Sequence, residues 1–189
     1  MSAFKESWLA LFGVWRLIRL DMTAIGLFGD TASAARRSMI VFIIAALVHG
    51  LVTIQYPNLP LRIDHFFLGT VVVLSRIIAW AAFLLLIYPH IIGMGRGALF
   101  LRFVTVYNWL LLLVPLIDQV TMLLRLTSFM PEIINAVYLL TTLAILYIRW
   151  RAVQITLDLN GQVAAYLVAL DVFIRSLLTL IAIAFIYVQ

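Results

Sequence analysis

Asp171 and Arg175 stand four residues apart in the stretch ALDVFIRSLLTL, so on a helix they share one face. The surrounding residues are apolar over a length that suits a bilayer span. His49, Arg76, Asn108 and Asp118 are set in similar apolar runs. A guanidinium–carboxylate–imidazole set inside a membrane suits three kinds of chemistry. It can relay protons or ions, it can hold a charged solute, or it can tie helices together by ion pairs. Buried ion pairs more often hold structure than do chemistry, so the structural reading leads. Asp171 is expected to pair with Arg76, Arg175 or both. Asp118 is expected to meet whichever arginine reaches toward it. Small residues on the same helices, Gly69 and Ala79 with Ala165 and Ala169, are expected to let those helices pack closely.

Other reactive groups point to little. His49, His65 and His90 fall on different elements and cannot meet at one ion. His49 reads as a hydrogen-bonded packing residue, the minority alternative being a single axial haem ligand. There is no cysteine, hence no thiolate chemistry. Gly93-Met94-Gly95-Arg96-Gly97 lacks the GxxxxGK[ST] pattern of a phosphate loop and reads as a turn. No Ser/His/Asp set, HExxH motif or paired catalytic carboxylate occurs. The chain is expected to be non-catalytic, with no metal and no cofactor.

The elements that carry these residues follow from composition. Of 189 residues, 66% are hydrophobic and 11% charged, with mean hydropathy +1.16. Soluble domains run at about 45–50% apolar and about 25% charged. This is an integral membrane protein forming one domain over residues 1–189. A basic balance of +5 then marks edges facing anionic lipid and not nucleic acid. Apolar runs of about the length a bilayer needs, roughly 20 residues, give five spans near 39–56, 66–88, 103–124, 132–150 and 163–188. Pro57 and Pro89 close the first two, Pro115 predicts a kink in the third, and Pro131 opens the fourth. Asn160-Gly161 reads as a turn before the fifth.

Ahead of the spans, Phe4, Trp8, Leu11, Trp15 and Ile18 form one helical stripe, with Lys5 and Arg16 away from it and Arg19 at its edge. This predicts an amphipathic helix lying in the membrane interface, packed on the protein's own cytoplasmic side, or both. Residues 21–38 read as a polar link in which Asp30 or Thr31 caps a short helix ending at Arg36-Arg37. Trp8, Trp15, Arg16, Arg19, Arg36 and Arg37 are thus the expected interface anchors. Tyr56, Tyr88, Trp150 and Tyr187 fall where an aromatic belt belongs. The expected fold is an all-α, five-span membrane bundle preceded by an interfacial helix.

Orientation follows from Lys and Arg. Nine of them (Lys5, Arg16, Arg19, Arg36, Arg37, Arg96, Arg102, Arg149 and Arg151) fall on one side, and two, Arg62 and Arg125, on the other. The positive-inside rule then places the N-terminus in the cytoplasm and the C-terminus outside.

The third span carries Val106-Tyr107-Asn108-Trp109, and the last opens with Ala165-Tyr166-Leu167-Val168-Ala169-Leu170-Asp171. With the five-span layout, these stretches resemble small membrane proteins of alphaproteobacteria that are similar to the Yip1 family. The resemblance implies a non-enzymatic, partner-binding membrane protein and supplies no site residues. The expected role is an accessory or scaffold protein of a bacterial inner membrane, bound to lipid and to other membrane proteins or to copies of itself. The alternative is a small transporter or channel subunit that uses the intramembrane Arg/Asp layer.

Alkaline phosphatase fused after Gln189 should be active, and GFP fused there should be dark. Bright GFP with inactive phosphatase reverses the orientation.

Overall fold

The computed structural model describes residues 3–55, 64–126 and 130–187. Tyr56, Pro57, Arg62, Val188 and Gln189 lie outside these residues, so the far ends of the first and last spans do too. Among the described residues there are seven α-helices and no strand: α1 (Ala3–Ile18), α2 (Ala32–Ile54), α3 (His65–Gly93), α4 (Phe100–Leu111), α5 (Leu113–Leu126), α6 (Pro131–Thr156) and α7 (Gly161–Tyr187). Five segments are long and apolar enough to cross a membrane: Ala32–Ile54, His65–Gly93, Gly97–Arg125, Pro131–Thr156 and Gly161–Ala182. The protein is a multi-pass membrane bundle.

The spans form a closed ring. α3 packs between α2 and α7, α7 reaches α6, and the α4–α5 span joins α6 back to α2. This span is the most buried, with over half of its residues covered against a third or less in the others. The reason is that α1 and the 3-10 turn Met22–Leu27 lie on its outer side. Ala10, Val14 and Leu17 pack there with Ile25, Phe28, Val106, Trp109, Leu110, Ile145 and Ile148.

Helix boundaries moved where local rules met tertiary packing. Thr31 does cap a helix, accepting a hydrogen bond from Ala34 N at 3.2 Å, but this helix does not stop at Arg37. It runs unbroken into the first span as α2, since nothing in Ala32–Ile54 breaks it. Pro89 does not end α3, which continues to Gly93. One proline forfeits one backbone bond, and the helix is held in the core on either side of it by Ile87 and Ile91. Gly95, at φ +72°, then ends the helix, with Arg96 N bonded to Ile91 O at 3.0 Å. In the third span the chain breaks at Leu112, between α4 and α5. Pro115 has no N–H for the carbonyl of Leu111, and Leu112 N turns back to Trp109 O at 3.3 Å.

The α6–α7 turn sets the register that matters most. Asp158 takes φ +49°, and Leu159 N closes α6 on Gln154 O at 3.0 Å. Asn160 caps α7 through Val163 N at 2.8 Å, and the Trp150 indole donates to Gly161 O at 2.8 Å. Trp150 is therefore a helix-to-helix tie.

Lipid tails are as apolar as leucine, so spans adhere through close packing and polar contacts and not through water exclusion. Gly50 and Gly69 supply such an approach between α2 and α3. A Cβ on Gly50 would sit 2.5 Å from Val73 Cγ2 and 3.1 Å from Gly69 O. Ala79 is buried, but Ala165 and Ala169 are exposed on the outer side of α7. The α7 packing face carries Ala164, Leu167, Val168 and Asp171 instead.

Gly50→Leu should destabilise the bundle by about 1–3 kcal/mol, read as earlier unfolding in detergent. Gly93→Ala, whose Cβ meets nothing within 4 Å, should leave unfolding nearly unchanged.

Candidate functional site: three polar clusters inside the bundle

The intramembrane polar residues gather into three clusters. The first is Asn108, which is fully buried. Its Nδ2 donates to Ser38 Oγ at 3.0 Å, and its Oδ1 accepts from Trp80 Nε1 at 2.8 Å. Ser38 Oγ in turn donates to Ala35 O at 2.7 Å, and the Trp80 ring stacks on Phe42 at 4.8 Å. One amide thus joins α2, α3 and α4 with its oxygen and nitrogen both used. Asn108 does not join the charged residues, since its partners are Ser38 and Trp80.

The second cluster holds Arg76, His49 and Asp118. Arg76 Nη2 lies 2.6 Å from His49 Nε2. Arginine can only donate, so Nε2 accepts and the ring proton sits on Nδ1. That nitrogen lies 2.9 Å from Asp118 Oδ2, close to it but off the angle of a good hydrogen bond. Asp118 Oδ1 also accepts from Tyr138 Oη at 3.3 Å. The run Arg76–His49–Asp118–Tyr138 therefore crosses α3, α2, α5 and α6. Arg76 pairs with histidine and not with Asp171. Among the described residues Asp118 meets histidine and tyrosine and no arginine.

The third cluster is the tightest. Asp171 is completely buried and lies between two arginines. Arg175 Nε is 2.9 Å from each carboxylate oxygen, the expected contact one helical turn away. The other partner is Arg149, whose Nη2 bonds both Asp171 Oδ2 and Tyr107 Oη. The Arg149 guanidinium also lies 5.0 Å from the centre of the Tyr107 ring.

Arg149 corrects the sequence reading, which set it on the cytoplasmic edge. It is 4% exposed, because α6 runs on to Thr156 and turns Arg149 inward. Arg151, two residues on, points away and bonds Gln154 Oε1 at 2.5 Å. A signal was present in the spacing. Arg149 precedes the end of α6 by about 10 Å and Asp171 follows the start of α7 by about 15 Å, at about 1.5 Å per residue. A tight turn therefore brings them to similar depth, within reach of a long side chain.

Between the second and third clusters lies a cavity of about 220 Å³. Arg76, Asp118, Arg149 and Arg175 line it, with Leu111, Val114, Ile117, Ile145 and Leu146 as its apolar wall. Its rim carries exposed Tyr138, Val172 and Ser176. Two buried donors on its arginines, Arg149 Nε and Arg175 Nη2, have no hydrogen-bond partner among the described residues. Among the described residues, no group of three or more His, Cys, Asp or Glu is placed to hold a metal.

The proposed anchors sit on the α1 side. Trp8 and Trp15 are 65% and 50% exposed, and Phe4, Leu11 and Ile18 are exposed with them, so the stripe is not the face that packs. Arg19 lies over the Trp15 ring at 4.8 Å. Arg16 pairs with Asp21 at 2.5 Å, Arg37 pairs with Glu6, and Arg36 is exposed. Thr23 and Arg16 together hold the Asp21 carboxyl below the ordinary carboxylate range. The stability this cap contributes is therefore present at neutral pH and is lost as the pH falls through that lowered pKa.

Asp171→Asn should cost about 3–5 kcal/mol, because it leaves two arginines without their counter-charge. In double-mutant cycles, Asp171 and Arg149 should couple by about 1 kcal/mol or more. Arg76 should couple to Asp171 more weakly than Arg149 does; equal coupling would contradict the pairing.

Comparison of the chain with protein-family models, with curated proteins and with solved structures gave no match.

Proposed function

We propose that this protein is a non-catalytic accessory or scaffold protein of a bacterial inner membrane, Yip1-like in kind, that binds other membrane proteins. On this reading its N-terminus is cytoplasmic and its C-terminus periplasmic. The observation that carries it is the Arg149–Asp171–Arg175 cluster. Two cations and a tyrosine surround one carboxylate at the meeting of α4, α6 and α7. Such a cluster fixes how helices sit against one another, which suits a rigid body presenting a constant outer surface. The exposed stripe of α1 supports the same reading, since Trp8 and Trp15 extend this surface toward lipid headgroups.

A second reading, a small transporter or channel subunit, is favoured by the arginine-lined cavity. Flux in proteoliposomes separates the two: the unaltered chain carries a charged solute across as a transporter and carries none as a scaffold.

Gentle extraction from native membranes followed by native mass analysis tests the leading reading. Other membrane proteins should accompany the chain in a fixed ratio. Recovery only as a monomer or as a homo-oligomer would overturn the accessory role.

A further inference from the structure

We propose that the cavity between α5, α6 and α7 binds the anionic headgroup of a single-tailed or two-tailed amphiphile, as a carboxylate or a phosphate. This goes beyond the scaffold reading and does not depend on it.

The first argument is charge. Arg76, Arg149 and Arg175 face the cavity, against Asp118 on its wall and Asp171 just behind Arg149 and Arg175. With His49 neutral, as its contacts require, three guanidinium groups meet two carboxylates and one positive charge is left over. A charge inside a bilayer is costly unless another charge answers it. Water can satisfy a donor, but it cannot neutralise a cation.

The second argument is the free donors. Arg149 is 4% exposed, yet among the described residues its Nε has no hydrogen-bond partner, and the buried Nη2 of Arg175 has none either. Buried guanidinium N–H groups are rarely left this way. Both belong to side chains that line the cavity, whose guanidinium groups would answer an anionic oxygen lodged there. Asp118 does not occupy them, because its oxygens face His49 and Tyr138. Tyr138 and Arg149 lie on one face of α6 but about 16 Å apart, at about 1.5 Å of rise per residue. The Arg149 end is therefore far from the Tyr138–Asp118 contact.

The third argument is shape. About 220 Å³ holds a headgroup and a short length of chain, being roughly seven waters at about 30 Å³ each. It is too small for a whole lipid. The wall is apolar at Leu111, Val114, Ile117 and Ile145, and the mouth is Val172 and Ser176 on the outward side of α7 with Tyr138 on α6. In a bilayer this mouth faces lipid chains. A small soluble anion gains nothing from such a wall, whereas an amphiphile can leave its tail in the membrane.

The full chain in phosphatidylcholine nanodiscs is offered palmitic acid, methyl palmitate, phosphatidylglycerol or inorganic phosphate, and retention is read by native mass spectrometry. Palmitate or phosphatidylglycerol should be retained, and the one retained identifies the source as free acid or lipid phosphate. Methyl palmitate and inorganic phosphate should not be retained. Arg175→Gln should weaken retention by about ten-fold or more, the scale of a lost charged hydrogen bond. Ser176→Phe should block the mouth while keeping every charge, and so reports on the site even where Arg175→Gln unfolds. Equal retention of palmitate and its ester, retention of inorganic phosphate alone, no retention of any probe, or full retention by Ser176→Phe would each overturn the proposal.

Discussion

Asp171 places a negative charge within a membrane-spanning helix, where no bulk water stabilises it. Two arginines answer it, one from its own helix and one from α6, and Tyr107 of α4 steadies the second. Much else in the bundle serves this contact. The α6–α7 turn, with its Asn160 cap and the Trp150 indole bond, sets the depth at which Arg149 meets Asp171. The continuation of α6 to Thr156 keeps Arg149 inside. The aromatic packing of Phe83 and Phe103 on Tyr107, with ring centres 5.3 and 5.2 Å away, holds the tyrosine beneath the guanidinium.

The same physics divides the polar groups into closed and open sets. Asn108 is closed: its oxygen and nitrogen are both bonded, and it joins three helices without a net charge. The charged clusters are not fully closed, since they carry more guanidinium than carboxylate and leave His49 Nδ1, Arg149 Nε and Arg175 Nη2 without a hydrogen-bond partner among the described residues. A bundle that needed only a register lock would gain nothing from the extra cation. Structural and ligand-binding roles are therefore compatible here, with Asp171 serving the first and the arginine excess around the cavity the second.

The N-terminal helix shows how one short segment serves two surfaces. Its residues Ala10, Val14 and Leu17, at spacings of four and three, are buried against α4 and α6. The aromatic stripe of Phe4, Trp8 and Trp15 points elsewhere and stays exposed. The sequence stripe is real, but it is not the packing face. Small residues such as Ala10 and Gly13 are weak signals in a hydrophobicity pattern, yet Gly13 lets the helix approach Phe28 closely.

Length and hydropathy determined the number of spans, because a bilayer demands about 20 apolar residues each time the chain crosses it. They also brought Arg175 to Asp171, since residues four apart on a helix must be neighbours. Proline placed the break in the third span within a few residues. What only the tertiary structure decided was which charges met across helices. Arg149 looked like an edge residue because it sits beside Trp150 and Arg151, and only helix rotation and the extended end of α6 turned it inward. Arg76 went to His49 and not to Asp171, although α3 packs against both α2 and α7, because Asp171 is already held between Arg149 and Arg175. Local sequence fixes the depth of a charge along its own helix, but its azimuth depends on what the neighbouring helices cover, and that is a property of the assembled bundle.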